Sequence, residues 1–220
     1  ILQKVDSLIR NKYVLAEKAR TYADEFRKTY AAGVYDSLVD ARRFGERVTA
    51  ELQTITHDKH NTFRPIESSD VGEKAEGNLH HPVRYYRIRM REHTGFTKLE
   101  WMDGKIGYLE LRRFNLLSEA KEMLGIAMKF LAGANAIIID LRDNGGGSGD
   151  YLSSYFLPHP TQLTGAYYRE GNTLQESWTS RNIEGERILD IPLLVLTSKK
   201  TFSAAESFAY DMKVRNRATL

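Results

Sequence analysis

The apolar run Ala136–Ile139 constrains the fold more than any other segment of this 220-residue chain. An uninterrupted β-branched run of this kind is typical of a central strand buried on both faces, as in parallel sheets. The run Leu193–Thr197 predicts another strand, and it leads through a short turn into a helix that begins near Ala204. Ile106–Leu111 predicts a strand and Glu119–Leu131 a helix, so strands and helices alternate as in βαβ crossovers. The sequence therefore predicts a layered α/β sheet.

The first part of the chain has a different pattern. Residues 1–61 lack strand alternation, and their apolar residues recur at helical spacing. The pattern predicts three helices, and Asp40 is placed to cap the third, which contains Val48 and Leu52. We therefore expect an N-terminal helical domain over 1–61, which makes the whole chain α+β in class.

The α/β core is expected to cover residues 62–220. Val83–Met90 and Thr97–Met102 predict further strands near its start. Few elements are predicted between about 148 and 190, and a loop-like stretch of that length favours a lid or a substrate wall. The chain ends on what reads as a new strand, so we expect part of the core to follow Leu220.

Composition excludes several classes of function. Hydrophobic residues make up 41% and charged residues 28%, with a net charge of +3, which is ordinary for a globular protein. No dense basic stripe is present, so we expect no nucleic-acid partner. The absence of cysteine excludes disulfides, a thiol nucleophile and cysteine-ligated metal. No apolar run reaches 18 residues, so no membrane-spanning helix is predicted.

The segment Thr201–Glu206 is the first candidate for chemistry. It forms a small-residue turn between a predicted strand and a predicted helix, which puts Ser203 at the helix N-terminus. Unpaired backbone N–H groups and the positive end of the helix dipole meet there and stabilise an oxyanion beside a serine nucleophile. The alternative is that Ser203 only caps the helix and forms a capping box with Glu206.

The glycine run Gly145–Gly147 is the second candidate. Consecutive glycines after a buried strand permit positive φ and a concave arrangement of backbone amides. The run matches neither a Walker A loop nor a dinucleotide fingerprint. A plain turn remains the alternative, but both candidates follow strands at their carboxyl ends, where α/β sheets place ligands. An oxyanion loop facing Ser203 fits both segments.

A nucleophilic serine also needs a base. His57 and His60 are spaced to share one helix face and would suit a metal, but no carboxylate pattern supports that use. The pair His80 and His81 lies in a polar loop and is expected to be exposed. Lys199 and Lys200 precede Ser203 and are either bases or solvated residues at the strand end.

The two motifs together resemble the C-terminal processing (tail-specific) serine peptidase family. The segments are Asp140–Gly147 and Thr201–Glu206, about 60 residues apart. The likeness extends over nearly the whole chain and is greatest to the branch that includes interphotoreceptor retinoid-binding protein. It implies a helical N-terminal domain and a ClpP/crotonase-like α/β peptidase core. Only 45 residues separate His60 from Ile106, which leaves no room for the PDZ domain that many members insert.

The resemblance also implies roles for individual residues. Ser203 matches the nucleophile, and the amide of Ala204, with one from Gly146 or Gly147, matches the oxyanion hole. The remaining matching positions shape the site; they are Asp140, Arg142, Asn144 and Glu206. His60 matches the base of the tricorn-like and retinoid-binding-protein-like branches, which use a later glutamate to orient it. Other relatives use a lysine about 25 residues after the serine, and that position would lie beyond Leu220.

The function implied by the resemblance is that of a serine endopeptidase. It would cleave unfolded or C-terminal polypeptide segments through an acyl-enzyme on Ser203, without a cofactor or a metal. The alternative is a non-catalytic protein on the same scaffold that binds a retinoid, a fatty acid or a peptide. The family's habit implies a periplasmic, cell-surface or secreted protein, and an oligomer is compatible with the sequence.

Overall fold

The computed structural model describes residues 1–65, 95–115 and 118–220, with the backbone alone for 118 and 119. The predicted strand Val83–Met90, and with it His80, His81 and His93, lies outside the described residues. The described residues form two compact units. The first contains residues 1–65 together with Tyr167–Leu174, and the second contains the remainder.

The first unit contains the three helices that the sequence predicts, and this prediction is confirmed. They are α1 (Leu2–Lys12), α2 (Ala16–Ala31) and α3 (Ala41–Thr56). Asp40 caps α3 as expected, because its Oδ1 accepts a hydrogen bond from Arg43 N at 2.8 Å. The apolar faces of the helices meet in one cluster of buried side chains, namely Val5, Phe26, Tyr35, Val48 and Leu52.

The second unit is built on a five-stranded sheet with the order β1-β2-β3-β6-β7. The strands of this sheet are β1 (Phe96–Met102), β2 (Ile106–Leu111), β3 (Ala136–Asp140), β6 (Leu193–Leu196) and β7 (Ala218–Thr219). β1 runs antiparallel to β2, whereas the other neighbouring strands are parallel. Three helices connect the strands; they are α4 (Ser118–Leu131), α5 (Asp150–Phe156) and α6 (Ala204–Val214). The predicted α/β core is confirmed.

The central strand β3 is covered unequally on its two faces. Ile137 and Ile139 are fully buried and belong to the same apolar cluster as Leu131 of α4 and Phe208 of α6. Ile138 points to the opposite face and is only half-buried. Complete burial on both faces was expected, but among the described residues only the face that carries the helices is closed.

The stretch from 148 to 190 contains more regular structure than the sequence predicts. It holds α5 and a separate two-stranded sheet, formed by β4 (Gln162–Tyr168) and β5 (Thr173–Trp178). Asp211 of α6 fastens β4 to the core, since its carboxylate accepts hydrogen bonds from the backbone N–H and the hydroxyl of Thr164, all at 3.1 Å. The prediction of a loop-like stretch with few elements was therefore wrong.

Candidate active site at the carboxyl edge of the sheet

Ser203 lies in a sharp turn between β6 and α6. Its backbone has φ 57° and ψ −124°, a conformation that residues other than glycine rarely adopt. Such a residue carries about 1–3 kcal/mol of strain and persists only where its surroundings enforce it. A strained serine between a strand and a helix is the arrangement that exposes the nucleophile in α/β-hydrolases. The half-buried Ser203 therefore shares the strained backbone of those nucleophiles and lacks the extended backbone of an ordinary N-cap.

Two side chains hold this turn in place. Thr201 is buried, and its hydroxyl donates to Leu141 O at 2.8 Å and accepts from Ser198 N at 2.8 Å. The backbone N–H of Ser203 donates to Glu206 Oε2 at 2.7 Å, which is the half of the predicted capping box that runs from the serine backbone to the glutamate. These bonds supply the external constraint that a strained conformation needs.

Asn144 connects the glycine loop to both neighbouring segments. This fully buried side chain donates from Nδ2 to Leu111 O at 2.9 Å, at the end of β2. Its Oδ1 accepts from Gly146 N at 2.8 Å, and its backbone carbonyl accepts from Phe202 N at 3.0 Å. One asparagine thus positions the loop after β3 against the turn that precedes Ser203.

The glycine loop approaches the serine turn more closely than any side chain would allow. A Cβ atom on Gly146, whose φ is 87°, would lie 2.7 Å from the Cβ of Ser203 and 3.2 Å from the N atom of Ala204. A Cβ atom on Gly147, whose φ is 129°, would lie 1.8 Å from Phe114 O. Both positions require glycine, for positive φ and for contact. The structure thus places Gly146 against Ser203 and Ala204, which are three of the residues that the sequence singled out.

The backbone amides at this contact are not equivalent. Gly146 N–H is already bonded to Asn144 Oδ1. Across residues 95–115 and 118–220, by contrast, the N–H groups of Gly147 and Ala204 have no hydrogen-bond acceptor. Of the two glycine amides considered from the sequence, that of Gly147 is the one left to donate to a ligand.

A charged cluster lies at the end of β3, where the chain leads into the glycine loop. The buried carboxylate of Asp140 accepts from Tyr108 Oη at 2.6 Å, from Arg142 Nη2 at 2.6 Å and from Arg142 N at 2.9 Å. Burial alone would raise the pKa of Asp140, but the hydrogen bonds from Arg142 and Tyr108 outweigh it and lower the pKa to about 2. Burial, followed by the hydrogen bond to Asp140, raises the pKa of Tyr108 to about 12.

An open depression of about 490 Å³ lies at the same edge of the sheet. Acidic and basic side chains line it in equal number with one serine; they are Glu110, Arg112, Asp140, Arg142, Asp143, Ser198 and Lys200. Lys200 Nζ lies 3.0 Å from Asp143 Oδ1 in an exposed ion pair. This pairing favours the interpretation of Lys200 as a solvated residue at the strand end rather than as a base.

His60 belongs to the first unit, in the turn that follows α3, and its side chain is 57% exposed. His57 precedes it as the C-cap of α3. Across the described ranges, no group of three His, Asp or Glu side chains is arranged to hold a metal ion. The part of the chain that the structure describes also contains no helix long and apolar enough to cross a membrane.

Comparison with known families assigns both parts of the chain. Residues 105–220 match Peptidase family S41, and residues 1–94 match the N-terminal domain of peptidase S41 in eukaryotic IRBP. The chain therefore belongs to peptidase family S41, and the family resemblance carried by its two motifs is confirmed.

Two curated relatives are carboxyl-terminal-processing enzymes. The carboxyl-terminal-processing protease of Synechocystis sp. (strain ATCC 27184 / PCC 6803 / Kazusa) is 33% identical over 118 residues, which are 52% of this chain and 26% of the relative. Carboxyl-terminal-processing peptidase 1, chloroplastic, of Arabidopsis thaliana is 29% identical over 170 residues, which are 74% of this chain and 31% of the relative. The matches thus span less than a third of either relative.

Solved structures agree on the fold. A candidate peptidase from Parabacteroides merdae ATCC 43184 superposes with a TM-score of 0.58 at 17% identity, over 98% of this chain and 72% of that chain. The tricorn protease superposes with a TM-score of 0.50 at 13% identity, over 99% of this chain and 28% of that chain. At these identities the likeness concerns the fold alone.

Proposed function

We propose that the protein is a serine peptidase that cleaves unfolded or C-terminal polypeptide segments through an acyl-enzyme on Ser203. One observation carries the proposal: a serine with a strained backbone stands at a helix N-terminus with a glycine loop packed directly against it. Within the described core, the N–H groups of Ala204, which follows that serine, and of Gly147 in the glycine loop have no hydrogen-bond acceptor. Membership of peptidase family S41 supports the same reaction class.

The proposed mechanism begins with proton transfer. His60 takes the proton of Ser203 Oγ, and the oxygen attacks the carbonyl carbon of the scissile peptide. The imidazolium then gives its proton to the leaving amine, and water releases the acyl group by the same route in reverse. The alternative base from the resemblance, a lysine beyond Leu220, remains open and is one outcome of the experiment below.

The negative charge of the tetrahedral intermediate needs donors that are already in position. The N–H groups of Gly147 and Ala204 are proposed as those donors, since both are unoccupied within the described core. The N-terminal end of α6 adds its dipole at the same point. Loss of one such donor is expected to lower the rate by about 10²–10³-fold.

Four further residues are proposed to shape the site without taking part in bond changes. Asn144 fixes the glycine loop, Glu206 holds the backbone of Ser203, and the ion pair of Asp140 with Arg142 fixes the end of β3 from which the loop departs. Their hydrogen bonds are internal to the protein, so their role is to keep the amides and the serine in register.

The proposed substrate is an extended or unfolded chain rather than a protein tail selected by a separate module. The 45 residues between His60 and Ile106 are too few for a PDZ domain. The competing carrier function has less support. An apolar pocket lined by Phe96, Phe114 and Leu124 among others has a volume of only about 30 Å³, room for little more than a water molecule.

The location proposed for this activity is the periplasm, the cell surface or the extracellular medium, following the resemblance to exported peptidases. Fractionation of cells that produce the full-length protein, followed by immunoblotting, tests it. Recovery of the protein with cytoplasmic markers alone would contradict the proposal.

Cleavage of unfolded, fluorescently labelled casein tests the activity. The parent protein is expected to cleave it, whereas Ser203→Ala and His60→Ala are expected to fold but not to cleave. Removal of the Ser203 cap costs only about 1 kcal/mol, so the fold of Ser203→Ala should survive. Ser207→Ala, on the same helix, is the matched control and should retain activity.

The pattern of losses separates the alternatives. Activity lost in Ser203→Ala but kept in His60→Ala would assign the base to another residue, such as the lysine of other relatives. Full activity in Ser203→Ala would overturn the proposed function. An inactive but folded parent protein would favour the carrier.

A further inference from the structure

The turn that carries His60 is tied down by the last residues of α3. The buried Thr56 hydroxyl accepts from Asp58 N at 3.2 Å and from Asn61 Nδ2 at 2.9 Å. Gln53 Nε2 donates to Lys59 O at 3.2 Å and to the Asn61 carbonyl at 3.3 Å. The backbone on both sides of His60 is therefore held by side chains of a regular helix, as preorganised sites require.

Within this turn, one oxygen atom of Asp58 contacts His60 twice. Asp58 Oδ1 accepts the backbone N–H of His60 at 2.8 Å, which makes an Asx-turn. The same oxygen lies 2.8 Å from Nδ1 of the His60 ring. The Asp58 side chain is 32% exposed, so this contact is partly shielded from water. The carboxylate fixes the backbone and the ring at the same time.

This contact decides which ring nitrogen carries the proton. A carboxylate oxygen only accepts hydrogen bonds, so Nδ1 must be the protonated nitrogen of the neutral ring. Nε2 is then the unprotonated nitrogen of the neutral ring, which is the form that a general base needs. In serine peptidase triads, a carboxylate that accepts the Nδ1 proton of a histidine orients that ring as the base.

We infer that Asp58 is the residue that positions His60, by holding its Nδ1 proton so that Nε2 is the basic atom. The inference rests on the proposed function, in which His60 is the base. From the resemblance alone, the orienting acid is expected to be a glutamate later in the chain. The structure assigns that role to a carboxylate two residues before the histidine.

Other titratable groups lie near this turn, and a test of Asp58 must separate its effect from theirs. The titratable neighbours are His57, Lys59 and Tyr13, whose pKa is raised first by its burial and then by the charge of Asp58. A change in activity alone would not separate their effects from that of Asp58. The state of the His60 ring must therefore be observed directly.

Nitrogen NMR of the protein labelled with ¹⁵N-histidine reports the tautomer without reference to activity. The His60 signals are assigned by their loss in His60→Gln. In the parent protein with a neutral ring, we expect the proton of His60 to lie on Nδ1. In Asp58→Ala this preference should disappear, whereas Asp58→Asn should retain it, because an amide oxygen still accepts both bonds. Asp103→Asn, an exposed carboxylate in the turn after β1, is the matched control.

Peptidase activity supplies the second arm. Removal of the carboxylate of a buried triad costs about 10⁴-fold, and the exposure of His60 should reduce that loss. We expect kcat/KM to fall about 100-fold in Asp58→Ala and about 10-fold in Asp58→Asn, with KM little changed.

The tautomer measurement and the activity measurement can each contradict the inference independently. A parent protein with Nε2 protonated, or an unchanged tautomer in Asp58→Ala, would overturn the inference whatever the activity. Full activity in Asp58→Ala beside an inactive His60→Ala would also overturn it. Full activity in both variants, with the expected tautomers, would instead refute His60 as the base and leave Asp58 without a catalytic partner.

Discussion

Replacement of Ser203 by glycine is expected to stabilise the second unit and to abolish peptidase activity. With φ 57° and ψ −124°, the serine carries about 1–3 kcal/mol of strain that glycine does not incur. Glycine offsets part of this gain, since it adds about 0.4–1 kcal/mol of unfolded-state entropy and loses a few tenths of a kcal/mol of capping. The free energy of unfolding should therefore rise by about 1 kcal/mol, and the Tm by about 3–5 °C.

Urea denaturation followed by tryptophan fluorescence measures this change. The chain has two tryptophans, Trp101 and Trp178, and both belong to the second unit, so the signal reports that unit. With an m-value of about 2 kcal/mol/M, the midpoint of Ser203→Gly should rise by about 0.5 M. Ser207→Gly is the matched control, because Ser207 has ordinary helical backbone and should lose about 0.5–1 kcal/mol. If Ser203→Gly lowers the midpoint as Ser207→Gly does, the argument from backbone strain is refuted.

Two further substitutions test the loop and its support. Gly146→Ala should lose about 2–4 kcal/mol of stability and about 100-fold or more in casein cleavage, because its Cβ would lie 2.7 Å from that of Ser203. Gly145→Ala is the matched control, because its added Cβ would meet no atom within 4 Å. Stability is measured by urea denaturation and activity by casein cleavage. Equal losses in Gly145→Ala and Gly146→Ala would count against the contact between Gly146 and Ser203. The pKa of Asp140 is lowered to about 2 in the folded protein, so its carboxylate stabilises the fold above its unfolded pKa of about 3.9 and loses this effect as pH falls toward 2. Asp140→Asn should accordingly be less stable than the parent near pH 6 in urea denaturation, and a difference that does not shrink between about pH 4 and pH 2 would contradict this assignment.

The elements that the sequence predicts well are those with a strong local signal. Ala136–Ile139 is recognisable because consecutive β-branched residues favour a buried strand, and Asp40 because a capping residue precedes helical periodicity. The turn at Ser203 is recognisable because small residues separate a strand from a helix. In each case the deciding interactions lie within a few residues of one another.

Other elements depend on contacts that no local pattern records. Helix α5 has only seven residues, and five of them are buried, so it shows no amphipathic period. Strands β4 and β5 are mostly exposed and lack the alternation of a half-buried sheet. They were missed because their stability comes from partners such as Asp211, which lies 47 residues from Thr164.

The candidate site likewise combines features that local sequence predicts with features that depend on distant contacts. The glycine run and Ser203 could be paired from the sequence, since both follow strands of one parallel sheet. Which amide stays unoccupied depends on the hydrogen bond between Asn144 Oδ1 and Gly146 N, which the sequence does not reveal. The contact between Asp58 and His60 was missed as well, although an Asp two residues before a His just after a helix is a usable signal for an Asx-turn.

Covalent labelling of the full-length protein with a fluorophosphonate reagent tests whether Ser203 is the nucleophile, because only an activated serine beside an oxyanion hole reacts with it at useful rates. Digestion and mass analysis then locate the modified residue. We expect one label per chain, on Ser203, and no label in Ser203→Ala or in the urea-denatured protein. Equal labelling of the parent and Ser203→Ala, or modification of a different serine, would contradict the assignment of Ser203 as the nucleophile.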